Sequence, residues 1–453
     1  MTVTEQISAG ISRGMLQYEE AFANTASGSE AVFSRTEKHI CSGNAASGNE
    51  AGCELAFGDN LEYMKQLIGA GYSGRFRLIY IDPPFFTKSK YNASVDVRDS
   101  AGKKHKVHHL AYDDRFERNL GYYIENMTAR LLMMRDLLSD DGLIWVHLDW
   151  HSSHYIRLVM DEIFGVDNFV NEIIWSYKSG GSGKRNFARK HDTILVYSKT
   201  SKYYLEIPEE KSYNRGLKPY NFKGVEEYKD ENGWYTLVNM KDVWNIDMVG
   251  RTSGERNGYA TQKPLELMKR IVEASTEEGD LVGDFFCGSG SILEASEILG
   301  RRWIGCDNEE MAVSMAKKRL DFAGAGYDYC TQSGRDYRLG RADIDVMSEE
   351  HLENGNTLMR CRLTRFEPDI EMGYIQLNDR EFAEDALKSD PTQFVDYIMA
   401  DPDYNGSFTC GFVQKENFND ISFISHGSAA FIIVDVFGRE YFVRTEGYEQ
   451  QEQ

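Results

Sequence analysis

The stretch that most constrains this chain is Arg77–Tyr91, RLIYIDPPFFTKSKY. Leu78 to Ile81 is an unbroken apolar run with β-branched and aromatic members, the pattern of a strand buried on both faces of a parallel sheet. Asp82-Pro83-Pro84-Phe85 ends it, because two prolines cannot continue a ladder and the chain must turn outward. In an open α/β sheet, ligands bind in the crevice beyond the carboxyl ends of the strands. At that edge the Asp82 carboxylate and the Pro83 carbonyl can accept the protons of an exocyclic amine, and Phe85 can stack on a flat ring. Alone, the turn reads equally well as an ordinary strand ending with a buried Phe behind it.

A second stretch, Ala274 to Asn308, shifts that balance. The apolar strand Leu281 to Phe286 meets a Gly-rich turn, Cys287-Gly288-Ser289-Gly290, and then an apolar-periodic helix. Another strand, Trp303 to Cys306, ends in Asp307, about twenty residues past the turn, where an acidic residue can hold ribose hydroxyls. The glycines fit neither G-x-G-x-x-G nor the P-loop spacing, which favours a nucleotide cofactor without a pyrophosphate.

Together, Asp82-Pro83-Pro84-Phe85 and Phe286-Cys287-Gly288-Ser289-Gly290 resemble the paired signature of the amino-group DNA methyltransferases. The catalytic turn precedes the cofactor turn, an order similar to that of the β class and of the Mod subunits of type III restriction systems. The resemblance covers roughly residues 54 to 322. It implies an α/β fold: a doubly wound, Rossmann-like methyltransferase sheet with circularly permuted motif order. It also implies S-adenosyl-L-methionine as cofactor, bound in a domain spanning 51–325. Asp82, Pro83, Pro84 and Phe85 then carry catalysis on a flipped-out base. Asp284, Phe286, Cys287, Gly288, Ser289, Gly290 and Asp307 hold the cofactor. Asp59 and Asn60, which could be a plain helix N-cap, gain a place beside its adenine. Thr261 and Lys263, at a helix start with Pro264 in its first turn, can meet its methionine carboxylate. Asp rather than Ser at position 82 is nearer the adenine-N6 enzymes than the cytosine-N4 ones. Cytosine N4, an idle DNA-binding specificity subunit and an RNA substrate remain the competing readings.

The surrounding segments supply candidate contacts to double-stranded DNA. From Phe85 to His109 there are six Lys and Arg, two Asp and three His, read either as solvated surface or as a lid whose Lys88 and Lys90 grip phosphates. His105, His108 and His109 lack the Cys, Asp or Glu spacing of a metal site. Tyr122 to Leu138 is a core-facing helix, and Leu143 to Leu148 the next buried strand, with His147 a satisfied core histidine. Between strands at 172–177 and 193–197 lies a Gly-rich loop whose Ser179 to His191 stretch carries Lys184, Arg185, Arg189 and Lys190 with no acid, the best phosphate-contacting segment of the chain. Trp175 and Tyr177 read equally well as core or as pocket wall. Residues 200–255 lose periodicity, and by resemblance hold target recognition.

Net charge matters here because DNA binding rests on phosphate neutralisation. The formal value of −21 is unevenly spread. Residues 341–453 hold 9 Lys and Arg against 23 Asp and Glu, whereas the rest holds 42 against 49. An acidic, β-rich C-terminal domain over 340–453 is therefore expected to face away from DNA, with Asp401-Pro402-Asp403-Tyr404 a decoy. Residues 1–50 read as an extension with one short helix. Seven cysteines without a C-x-x-C pair, no long apolar stretch and no signal-peptide pattern suggest a cytoplasmic protein with no membrane span. A homodimer and a restriction or other defence subunit stay open as partners.

Overall fold

In the computed structural model, Phe76–Ile81 is a strand, with all but Arg77 of its residues buried, and it pairs in parallel on both sides. The residues described are 1–23, 32–40, 52–86, 90–99, 103–113, 119–178, 185–250, 253, 255, 261–334, 341–352, 356–425 and 427–445. One neighbour is Leu138–Leu148, followed outward by His191–Ser198, Phe169–Ser176 and Val243–Asn245. The other is Leu281–Asp284, followed by Arg302–Asp307, Glu54–Phe57, Tyr327–Gln332, Phe33–His39 and Phe408–Cys410. These eleven strands make one sheet. His191–Ser198 runs antiparallel to both neighbours, and Phe33–His39 antiparallel to Tyr327–Gln332.

The chain leaves Phe76–Ile81 toward one edge and Leu281–Asp284 toward the other, so the strand order reverses between them. That is the topological switch point where an α/β sheet opens a crevice. Helices Asn60–Gly69, Leu120–Leu137 and Ser153–Phe164 pack on one face, and Leu265–Ser275, Ser291–Ile298 and Glu310–Ala323 on the other. Helix Leu120–Leu137 shows why. Asn119 caps it by accepting from the Gly121 amide at 2.9 Å, and Tyr123, Met127, Leu131 and Met134 recur at helical spacing toward the core. Each fully buried Leu or Met there is worth roughly 1.5–3 kcal/mol, so Met133 and Met134 act as packing. The expected doubly wound sheet with permuted order is what forms.

Three segments differ from the sequence reading. The described residues among the first fifty are no loose arm: Val3–Ala23 is one long helix lying on Leu120–Leu137, and Phe33–His39 enters the sheet. Gly10 and Gly14 allow the helices to meet, since a Cβ at Gly14 would stand 2.5 Å from the Glu125 carbonyl oxygen. Residues 90–99 and 103–113 are no free lid. Lys90–Arg98 and Lys104–Asp113 form an antiparallel hairpin whose Val95, Val97 and Val107 join a core with C-terminal residues Ile398, Phe431 and Ile433. Its histidines are spoken for: His105 meets Asp99 at 2.7 Å, His108 meets Asp379 at 2.9 Å, and His109 packs edge-on to Phe437. Finally, 200–255 is not irregular throughout, since Glu209–Tyr213, Gly233–Asn239 and Tyr228–Asp230 form a small sheet.

The C-terminal part is β-rich, with one three-stranded and one four-stranded sheet and the helix Leu377–Ser389. Asp401 closes a turn there, accepting from the Asp403 and Thr409 amides at 3.0 and 2.7 Å. No helix among the described residues is long and apolar enough to cross a membrane.

Candidate active site

Strands Glu54–Phe57, Phe76–Ile81, Leu281–Asp284 and Arg302–Asp307 run parallel, so the turns that leave them share one edge. A cleft of about 310 Å³ opens there. It is lined by Asp59, Asn60, Asp82, Pro83, Pro84, Phe85, Thr261, Lys263, Asp284, Phe286, Cys287, Gly288, Ser289 and Asp307. Gly290 stands just behind as the N-cap of helix Ser291–Ile298. A larger cleft, about 1520 Å³, lies between the 90–113 hairpin, helix Glu310–Ala323 and C-terminal elements. None of the turns singled out in the sequence lines it, and three of its cations, Arg98, Lys318 and Arg319, face Glu416, Asp396 and Glu294.

The Gly-rich turn needs its glycines. Gly288 and Gly290 sit at φ 51° and 73°, left-handed backbone that disfavours side chains. A Cβ on Gly290 would also come within 3.0 Å of the Ala316 Cβ. The Cys287 amide donates to the Cys306 carbonyl at 3.1 Å, tying the turn to the next strand. Asp307 accepts from the Gly288 amide (2.8 Å) and the Glu309 amide (3.0 Å), and burial raises its carboxyl pKa despite those donors. Burial likewise pushes Asp284 well up against the opposing pull of the Phe286 amide, with the charges of Asp82 and Asp307 adding to the rise. Burial also lifts the Cys287 thiol well above its ordinary range, so it is no thiolate.

Asp59 has the capping role its position suggests, accepting from the Leu61 and Glu62 amides at 2.9 and 3.2 Å. It also pairs with Arg130, which the sequence reading missed. Arg130 Nη2 donates to Asp59 Oδ2 at 2.9 Å and Nε to Asn60 Oδ1 at 2.6 Å, while Asn60 Nδ2 donates to the Phe285 carbonyl at 2.6 Å. Helix Leu120–Leu137 thus holds the Asp59–Asn60 turn against the Gly-rich turn.

At the Asp82–Phe85 turn, Lys263 Nζ donates to Asp82 Oδ2, while Asp82 Oδ1 is buried with no hydrogen-bond partner among the described residues. Phe85 is half-buried, stacked at 6.1 Å on His147. Beneath it the Tyr80 hydroxyl and His147 Nδ1 share a 3.0 Å hydrogen bond, and His147 Nε2 stands 3.3 Å from Asp192. Burial alone would raise Asp192, but His147 and Lys263 outweigh it and hold the carboxyl below its usual range. His147 is the satisfied core histidine expected, now placed under the aromatic floor. Trp175 is core, its indole N–H bonded to the Ile246 carbonyl at 2.8 Å, and the Tyr177 hydroxyl donates to Asp192 at 3.2 Å. Phe86 follows at φ 60°, a left-handed non-glycine residue of the kind that collects at functional turns.

Of the expected phosphate contacts, Lys88 and Lys184 lie outside the described residues, as does the side chain of Lys90. Arg185 and Arg189 are exposed and Lys190 half-buried, near the tip of the hairpin formed by Phe169–Ser176 and His191–Ser198. Because His191–Ser198 runs antiparallel to Leu138–Leu148, this tip rises at the same edge as Asp82. Arg189 lies over the Trp150 ring at 3.7 Å, and Phe187 between the two arginines is 98% exposed.

A family model described as DNA methylase (N6_N4_Mtase) matches residues 76–318. The type II methyltransferase M.EcaI of Enterobacter cloacae is 30% identical over 380 residues, covering 70% of this chain and 80% of its own. The DNA adenine methyltransferase YhdJ of Escherichia coli is 22% identical over 330 residues, covering 71% of this chain and 96% of its own. The Mod subunit of the type III enzyme EcoP15I from Escherichia coli is 30% identical over 156 residues, but this spans only 32% of this chain and 24% of that subunit.

Proposed function

The chain belongs to the DNA methylase family, and on that premise we propose that it methylates the N6 amino group of adenine in double-stranded DNA, with S-adenosyl-L-methionine as methyl donor. One observation carries the reading. The turns at Asp59–Asn60, Asp82–Phe85 and Phe286–Gly290, far apart in sequence, line one cleft at the switch point, and Asp82 keeps a buried oxygen available as a hydrogen-bond acceptor.

The residues present fit the cofactor. Left-handed Gly288 lets the backbone of the Gly-rich turn come up to the cleft without a side chain at that point, Asp307 suits ribose hydroxyls, and Asp59 and Asn60 suit the adenine end. When bound, S-adenosyl-methionine supplies an electrophilic methyl group. The chain's own residues prepare the acceptor. The base cannot be reached inside a duplex and must be flipped, at a cost of a few kcal/mol, with Phe85 replacing part of the lost stacking. Adenine's amino lone pair is delocalised into its ring. Asp82 Oδ1 and the Pro83 carbonyl, by accepting hydrogen bonds from the amino protons, favour the form in which that lone pair is available and positive charge develops. Arg185 and Arg189 are suited to the flanking phosphates.

Modified-base sequencing of DNA from cells expressing the protein tests this, alongside Asp82→Ala. N6-methyladenine at a defined motif, lost in the variant while cofactor binding persists, is the expected result. Methylation retained in Asp82→Ala would sink the assignment, and N4-methylcytosine would reassign the base. The mass of the native complex from its host reads out whether a second copy or a restriction or other defence subunit accompanies it.

A further inference from the structure

Lys263 sits immediately before Pro264, the N-cap of helix Leu265–Ser275, and is 8% exposed. The sequence suggests the methionine carboxylate as its partner, yet its ammonium donates to Asp82 Oδ2 and stands 5.6 Å from the Phe85 ring centre. The two oxygens of Asp82 therefore differ: Oδ2 is held by Lys263, and Oδ1 is buried and unpartnered among the described residues. With its side chain only 18% exposed, this carboxylate is costly to leave without a hydrogen-bond donor, which Lys263 supplies. It also needs a fixed rotation if one chosen oxygen is to meet the substrate.

From this we infer that Lys263 is a positioning residue for the transfer step. It holds Asp82 in one orientation through Oδ2, so that Oδ1 is presented to the target amino group. The inference rests on the methyltransferase reading above and assigns Lys263 to the base side of the cleft rather than to the cofactor. The groups that bear on Asp82 fit the role. Tyr80 on its own strand and Asp284 on the next both feel the Asp82 charge, Asp192 on the hairpin strand feels that of Lys263, and Lys263 is the cation set among these acids.

The test compares Lys263→Met, Lys263→Arg and the unmodified full chain. It uses calorimetric binding of S-adenosyl-methionine, and kcat and KM at saturating cofactor on duplex DNA carrying the mapped motif. Lys263→Met is expected to leave cofactor affinity little changed while kcat falls by roughly 10²-fold. Lys263→Arg should restore much of the rate. The reverse split overturns the proposal: weakened cofactor binding with kcat unchanged would return Lys263 to the methionine carboxylate. The pairing is also read without activity, through a Tm double-mutant cycle of Lys263→Met and Asp82→Asn. Additive losses would sink the pair, even if the wild type proved to methylate no DNA and the functional reading failed by itself.

Discussion

Arg130 shows best what a single residue can hide. Its helix is plain from sequence spacing, but its role depends on the parallel register that brings Glu54–Phe57 and Leu281–Asp284 to a common edge. No local pattern states that register. Asp82, Gly288 and Gly290 were legible for the opposite reason: each is demanded by backbone chemistry at its own position, a ladder stopped by prolines or a turn at positive φ. The Tyr80–His147–Asp192 chain escaped notice because its members sit on three strands and meet only across the sheet. Arg130 carries a prediction. Arg130→Met removes donors to both Asp59 and Asn60 and frees the turn between them, with each charged hydrogen bond worth roughly 1.5–3 kcal/mol. Calorimetry should find cofactor affinity weakened by roughly tenfold or more, with Tm lowered only modestly. Unchanged affinity would mean the Asp59–Asn60 turn does not serve the cofactor.

At the scale of elements, two basic stretches that looked alike in sequence have separate fates. The 90–113 hairpin carries alternating Val95 and Val97, a period-2 signal that its lysines and histidines obscured, and the apolar face is spent on the C-terminal core. The hairpin that carries Arg185 and Arg189 leaves both guanidiniums exposed at the edge of the sheet where Asp82 lies. Of the two stretches, the second is thus the one placed to meet phosphates beside the cleft. Replacing Arg185 and Arg189 by Ala should weaken DNA binding about equally on specific and unrelated duplexes. It should also reduce the salt dependence of log K by roughly 0.9 for each phosphate no longer neutralised. Cofactor affinity should not move. Fluorescence titration across a range of salt concentrations checks both statements, and an unchanged slope would place the phosphate grip elsewhere. The N-terminal helix belongs to the same scale. The Gly10 and Gly14 spacing was visible, but that it marks a helix contact follows only from seeing Leu120–Leu137 beneath it.

Across the whole molecule, the acidic C-terminal part reads in the sequence as a separable domain, and composition alone gives no reason to doubt it. Its attachments argue otherwise. Phe408–Cys410 pairs with Phe33–His39 at the edge of the large sheet, and the 90–113 hairpin shares its core. At the junction Lys317, 1% exposed, reaches Glu37 at 2.5 Å and also donates to Glu440, joining the N-terminal strand, helix Glu310–Ala323 and the last C-terminal strand. Breaking a buried ion pair from one side typically costs roughly 3–5 kcal/mol, because the partner charges are left uncompensated. Lys317→Met should therefore do more than loosen the C-terminal part. It should lower the stability of the entire chain, and scanning calorimetry should still record one transition, since the three segments it joins share strands and core with the catalytic sheet. A variant with two resolved transitions, the later one matching the wild-type Tm, would instead show that the acidic part melts alone. The methyltransferase sheet would then be stable without it, and the 90–113 hairpin would be released from its anchor next to the catalytic turn.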